Sequence, residues 1–214
     1  MNSFIKKFLK VYEQVKLLVW PLLTILIIFF IWRLIADRAT VYLTINSYHT
    51  RWGDVLFPLV TQLGSVAAAV LLSLLFVIIR RPVGYILATA YMFTATISFS
   101  LKVLVGYPRP YRYFMDKLHE LYFVPGVEVL NNFRSFPSGH SVCAFTAATV
   151  LSYYSRNKYW SFLFLFLAVL VAYSRMYLNQ HFLEDVSAGA VIGVFFSMIW
   201  LSFFADEKVT FSGK

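Results

Sequence analysis

Six apolar segments within 214 residues constrain this chain more than any other feature. They fall at about 17–36, 58–79, 83–104, 138–154, 158–174 and 181–205. A helix needs roughly 20 apolar residues to cross the hydrocarbon core of a bilayer, which is about 30 Å thick. Composition agrees, with 60% hydrophobic and 14% charged residues, where soluble domains average about 45–50% and about 25%. Only short links remain between the segments. The expected fold is therefore all-α, a polytopic six-transmembrane-helix bundle forming a single domain over 1–214, with no separate soluble domain. The first segment exceeds the apolar core of a secretory signal, and Trp20, Phe29, Phe30 and Trp32 suit no cleavage site, so it reads as a retained span.

The segments differ at their edges. Residues 1–16 place Phe4, Phe8, Tyr12 and Val15 at steps of three and four, with Lys6, Lys7, Lys10 and Lys16 mostly on other faces. This is the pattern of an N-terminal amphipathic helix lying on a membrane surface, and equally that of a solvated basic tail. Pro21 falls in the first turn of span 1, where a missing N–H costs nothing, and Arg33 at its end is placed to snorkel. Residues 37–57 read as a polar link, and Arg80-Arg81-Pro82 stops span 2. Residues 105–137 contain Gly106, Pro108, Pro110, Pro125, Gly126 and Pro137. That density of breakers predicts a partly helical extramembrane loop between spans 3 and 4, a candidate pocket wall. Gly189 and Gly193 are spaced to bring span 6 close to a neighbour.

Charge sets the orientation. An even number of spans puts both termini on one side, with the tiny basic links at 80–82 and 155–157. That side holds ten Lys and Arg (residues 6, 7, 10, 16, 80, 81, 156, 158, 208 and 214) against Glu13, Asp206 and Glu207. The excess of positive charge in short links predicts cytoplasmic termini, with the long links outside. A net charge of +9 without a basic, polar-interleaved helix points to lipid headgroups rather than nucleic acid. Cys143 is the only cysteine, so no intrachain disulfide forms.

By this topology Lys102, Arg109, His140, Arg175, His181 and Asp185 all sit at one membrane edge, where a charge is expensive without a partner or a wet cavity. His181 and Asp185, four apart, would share a helix face; the carboxylate would hold one ring nitrogen and leave the other free as a nucleophile. A structural histidine with an acidic partner gives the same pattern. In Pro137-Ser138-Gly139-His140, Ser138 is placed to cap the incoming helix and Gly139 to let an anion reach the backbone. His140 would then stand beside that anion to protonate a leaving oxygen, or it is simply exposed at a helix start. Lys102, Arg109 and Arg175 would stabilise charge on phosphoryl oxygens, or merely flank the spans. His140, His181 and Asp185 are plausible metal ligands, but three nearby cations favour an anion over a divalent metal. Neither a metal nor another cofactor is expected.

These residues resemble the type 2 phosphatidic acid phosphatase (PAP2) superfamily. Its first motif is similar to Lys102, six residues, Arg109-Pro110; its second to Pro137-Ser138-Gly139-His140; its third to Ser174-Arg175, five residues, His181, three residues, Asp185. The resemblance implies metal-independent hydrolysis of a lipid phosphate monoester or diphosphate: phosphatidic acid, phosphatidylglycerophosphate, a polyprenyl diphosphate or a phosphorylated glycolipid. It implies a phosphohistidine on His181 oriented by Asp185, with His140 as general acid and then base toward water. Lys102, Arg109, Arg175, Ser138 and Gly139 would hold the phosphoryl group, in a pocket open laterally to lipid at the outer side of a bacterial plasma membrane. Inorganic phosphate would be the product and vanadate an inhibitor. Arg134 and Arg112 are further candidates for reading the headgroup, as are Tyr107, Tyr111 and Tyr113. Asn179 and Gln180 read as helix-start residues, while His49 and His119 lie outside the motifs. A non-catalytic lipid-phosphate binding or transport protein is the alternative, and a vanadate-dependent oxidase a third reading.

Overall fold

The computed structural model describes residues 3–205, and these are helical almost throughout. Lys208 and Lys214, with Asp206 and Glu207, enter the charge balance above but lie outside the described residues. The elements in order are α1 (Ser3–Ile35), α2 (Arg38–Ser47), α3 (Arg51–Val60), a 3₁₀ turn (Thr61–Gly64), α4 (Val66–Ile79), α5 (Arg81–Val105), α6 (Pro110–Tyr113), a second 3₁₀ turn (Met115–Glu120), α7 (Gly139–Tyr154), α8 (Trp160–Tyr177) and α9 (Leu183–Phe204). Among the described residues, four helices are long and apolar enough to cross a membrane, or five if α3 and α4 form one bent span. The chain is an all-α polytopic membrane protein. Its outer surface is correspondingly apolar, with Ile27, Phe30, Leu34, Leu71, Ile78 and Phe166 exposed.

The bundle is built around α7, whose residues are buried on nearly every side against α5, α8 and α9. Ser141, Ala144, Thr146, Ala148, Thr149 and Ser152 keep this helix narrow. Small side chains let helix backbones approach where lipid supplies no hydrophobic drive. Thr146 Oγ1 donates across to Thr94 Oγ1 of α5 at 3.0 Å. From α9, Gly189 and Gly193 face α7 as their spacing predicted. A Cβ on Gly189 would stand 2.7 Å from the Ser138 carbonyl oxygen and 2.8 Å from Ser141 Cβ. On α1 the buried stripe is Val11, Val15, Leu18 and Leu22, one face of a 3.6-residue period.

Four sequence readings change. First, residues 3–16 do not form a separate interfacial helix: they run on into span 1 as one 33-residue helix, while residues 1 and 2 lie outside the described residues. Pro21 therefore lies inside it rather than in a first turn. Second, the 37–57 link is helical. Asp37 caps α2 by accepting from the Thr40 N–H, which holds its carboxyl below the usual range, and Thr50 caps α3 through the Gly53 N–H. Third, span 2 is not one helix over 58–79. Pro58 removes a backbone donor in α3, the 3₁₀ turn tightens the chain, and Ser65 caps a new helix that departs at 57°. Fourth, Arg33 does not snorkel; its Nε donates to Glu184 at 2.6 Å, joining the end of α1 to the start of α9.

Gly189→Val should lower stability by about 1–3 kcal/mol, because the added carbons meet backbone that cannot move away. Thermal unfolding in detergent measures this, with Ala188→Val, at a half-buried neighbour, expected to shift stability by less than about 0.5 kcal/mol.

Candidate active site

The C-terminal ends of α5 and α8 and the N-terminal ends of α7 and α9 meet at one end of the bundle. Two of these are helix starts, whose unpaired N–H groups and positive dipole ends favour an anion. Each end carries polar side chains that the packing has removed from water. His181 and Asp185 are 2% and 1% exposed, and Arg109 and Arg175 7% each.

His181 is not on a helix, contrary to the shared-face reading. Arg175 O accepts from the N–H of both Gln180 and His181, which ends α8 and turns the chain, and Asn179 takes a left-handed conformation at φ 57° to make that turn. Asn179 and Gln180 are thus not helix-start residues. Asp185 stands in the first turn of α9, where its Oδ2 accepts from the Phe182 N–H at 2.9 Å and faces His181 Nδ1 at 3.4 Å. The i,i+4 spacing works because the chain folds back over the helix start. On the other side of the ring, Arg109 Nη1 lies 3.4 Å from His181 Nε2. The imidazole is therefore held between a carboxylate and a guanidinium, with Nε2 turned toward the cation. Burial, and then the charges of Arg109, Arg175 and Lys102 with His140 beside them, push His181 below the ordinary imidazole range and favour the neutral ring.

The other motif residues surround this ring. The Ser138 N–H donates to the Asp185 backbone oxygen at 2.9 Å, locking the start of α7 to the start of α9, and Ser138 Oγ caps α7 at the Ser141 N–H. Lys102 Nζ donates to the Pro137 and Arg134 carbonyl oxygens, and its Cε would lie 3.9 Å from a Cβ on Gly139. Gly64 packs on His140, where a Cβ would come within 2.6 Å of the His140 oxygen. Arg175 Nη1 donates to Thr61 Oγ1 at 2.8 Å, while its buried Nε has no hydrogen-bond partner among the described residues. The break between α3 and α4 thus delivers both Thr61 and Gly64 to the site.

Arg112 and Arg134 are not drawn into this cluster by any side-chain contact. Arg112 lies over the Phe133 ring and reaches Asn131, both in the same long link, and Arg134 is exposed. His119 is exposed beside Glu120, and His49 stacks on Tyr122 at 3.6 Å. Several residues that the motifs did not single out do support the site. Asn132 accepts from Arg109 Nε at 3.0 Å, Gln180 O accepts from Arg109 Nη1 at 2.8 Å, and Ser135 Oγ donates to Asp185 Oδ2 at 2.5 Å. Nothing in their spacing marks them, because each acts through the fold of 105–137. Among the described residues no three His, Cys, Asp or Glu side chains gather at one point.

The cluster brings buried cations and a histidine to two helix starts, an arrangement that suits an anion. The model of the PAP2 superfamily matches residues 82–208, and the chain belongs to that superfamily. It is 37% identical over 128 residues to lipid phosphate phosphatase 1 of Arabidopsis thaliana, covering 49% of this chain and 39% of that protein. It is 33% identical over 117 residues to an undecaprenyl-diphosphatase of Sulfolobus acidocaldarius, covering 53% of each. The chain thus spans about half or less of these relatives' lengths. The crystal structure of Aquifex aeolicus LpxE superimposes with a TM-score of 0.67 at 31% identity, over 78% of this chain and 95% of that one. A PAP2-type phosphatidylglycerolphosphate phosphatase from Bacillus subtilis shares the fold, with a TM-score of 0.62 at 21% identity over 94% of this chain and 100% of that one.

Orthophosphate at about 100 times its Kd should stabilise the folded protein by about 2.7 kcal/mol. Arg175→Ala should remove most of that increment. Unfolding of both proteins with and without phosphate gives the comparison, since the increment is independent of each variant's own baseline.

Proposed function

We propose that this protein hydrolyses a phosphorylated membrane lipid, a monoester or diphosphate, by a two-step route that uses no metal ion. The carrying observation is the buried His181 ring, with Asp185 at Nδ1 and Arg109 at Nε2. In the first step Nε2 attacks phosphorus in line while the bond to the leaving oxygen breaks, releasing the lipid alkoxide of a monoester or the lipid phosphate of a diphosphate. His140 gives that oxygen its proton, and Asp185 offsets the charge on the phosphorylated imidazole. In the second step His140 takes a proton from water, whose oxygen attacks phosphorus and releases His181 and inorganic phosphate. Lys102, Arg109 and Arg175 hold the three phosphoryl oxygens, joined by Ser138 and the Gly139 N–H, so that charge developing in the transition state meets fixed cations. Arg112 and Arg134, on the link above the cluster, read the rest of the headgroup.

The names of the relatives span lipid phosphate, lipid A and undecaprenyl diphosphate substrates, which supports a lipid phosphate as the class. We take the architecture as six spans, counting bent α3–α4 as one and α7 as another. At 16 residues α7 covers about 24 Å and is sheltered from lipid by its neighbours. The termini then face the cytoplasm of a bacterial plasma membrane, and the site faces outward, with the headgroup entering while the lipid tail stays in the bilayer.

His181→Ala should reduce phosphate release by about 10³-fold or more, and His140→Ala by about 10²–10⁴-fold, without loss of folding. Full release by folded His181→Ala would overturn the assignment. Vanadate should inhibit and chelators should leave the rate unchanged. The nucleophile must be neutral, and its folded-state value lies below the ordinary 6.5. The acid limb of kcat/KM should therefore fall below pH 6.5, which a pH–rate profile on detergent-solubilised enzyme measures.

A further inference from the structure

Asp185 Oδ2 is shared by three groups, and His181 is the most distant of them. Ser135 Oγ donates to it at 2.5 Å, the Phe182 N–H at 2.9 Å, and His181 Nδ1 stands at 3.4 Å. Ser135 is fully buried. Its own N–H donates to the Tyr107 oxygen at 3.0 Å, two residues before Arg109, and it lies three residues before Ser138, whose N–H donates to the Asp185 backbone oxygen. A single serine therefore joins the segment that carries Arg109, the segment that opens α7 and the carboxylate that faces the imidazole. A carboxylate oxygen has limited lone-pair capacity, so a hydroxyl bond both fixes its rotamer and disperses its charge.

We infer that Ser135 is a positioning residue for the proposed reaction: its hydroxyl sets the orientation of Asp185 and limits how strongly that carboxylate pulls on the His181 proton. The inference rests on the phosphatase reading and sharpens it. Without the hydroxyl, Oδ2 keeps the Phe182 N–H and its charge concentrates on His181. The groups facing that ring are otherwise unchanged: Asp185 from α9, Arg109 before α6, Arg175 from α8, Lys102 from α5 and His140 from α7. The imidazolium is then favoured, the histidine becomes protonated at higher pH, and the ring is held less firmly in line with phosphorus.

The test is Ser135→Ala, assayed for phosphate release from a lipid monophosphate in mixed micelles across pH, beside wild type and His181→Ala. Loss of an outer partner behind a metal-ligating histidine typically costs about 10–100-fold; by the same logic of orientation, kcat should fall about 10-fold or more while KM changes less than about two-fold. The acid limb of kcat/KM should move to higher pH. Ser135→Cys, which keeps the shape and a weak donor, should shift both quantities in the same direction by less, and it serves alone if the alanine variant does not fold. Wild-type kcat and pH profile in either folded variant would overturn the inference. So would a fall in kcat matched by lost thermal stability with the acid limb unmoved, which is what a packing role alone produces. Phosphate release retained by His181→Ala would instead strike the assignment of the nucleophile, and no release by wild type would strike the phosphatase reading itself.

Discussion

Asp185 ties the site together through two different atoms. Its backbone oxygen receives the Ser138 N–H, which fixes the start of α7 against the start of α9. Its carboxylate receives Ser135 and the Phe182 N–H and faces His181. A carboxylate at 1% exposure is costly unless satisfied. Here it is satisfied by the same groups whose placement the chemistry needs, so folding and preorganisation are one event. The three cations are compatible with burial for a related reason: each donates to oxygens of the chain, Lys102 to carbonyls, Arg109 to Asn132 and Gln180, and Arg175 to Thr61.

The glycines that face α7 serve the same end. Gly189 lets α9 come close enough for Ser138 to reach the Asp185 oxygen, and Gly64 lets the bent 3₁₀ turn lie on His140. Away from the site the construction is looser in sequence terms, with apolar residues facing lipid on α1, α4 and α5.

Much of this was legible in the sequence, for reasons that also explain the gaps. The helices at the expected spans 3 to 6 were readable to within a few residues because apolar runs end at charges, prolines or glycines. The break after α3 was not, since Pro58 and Gly64 sit inside an apolar run that reads as continuous. Helix α2 was hidden by its polar composition and α3 by its shortness before Pro58, although the caps Asp37 and Thr50 and the buried trio Val41, Tyr42 and Ile45 carried a signal. His181 and Asp185 were paired correctly but for the wrong local reason, because a four-residue spacing does not distinguish a helix face from a chain folding back onto a helix start. Ser135 and Asn132 were invisible, because their roles depend on how residues 105–137 fold over the bundle rather than on any period or motif.

The central claim is that His181 Nε2 becomes bonded to phosphorus during turnover. Rapid alkaline quench of enzyme turning over lipid phosphate, followed by peptide mass spectrometry, measures it directly, because a phosphoramidate survives base and is lost in acid. The account predicts an acid-labile phosphate on the peptide containing His181, absent from His181→Ala and accumulating in His140→Ala with an activated leaving group. Phosphate release that proceeds with this peptide unmodified, or with the label on another residue, would contradict it.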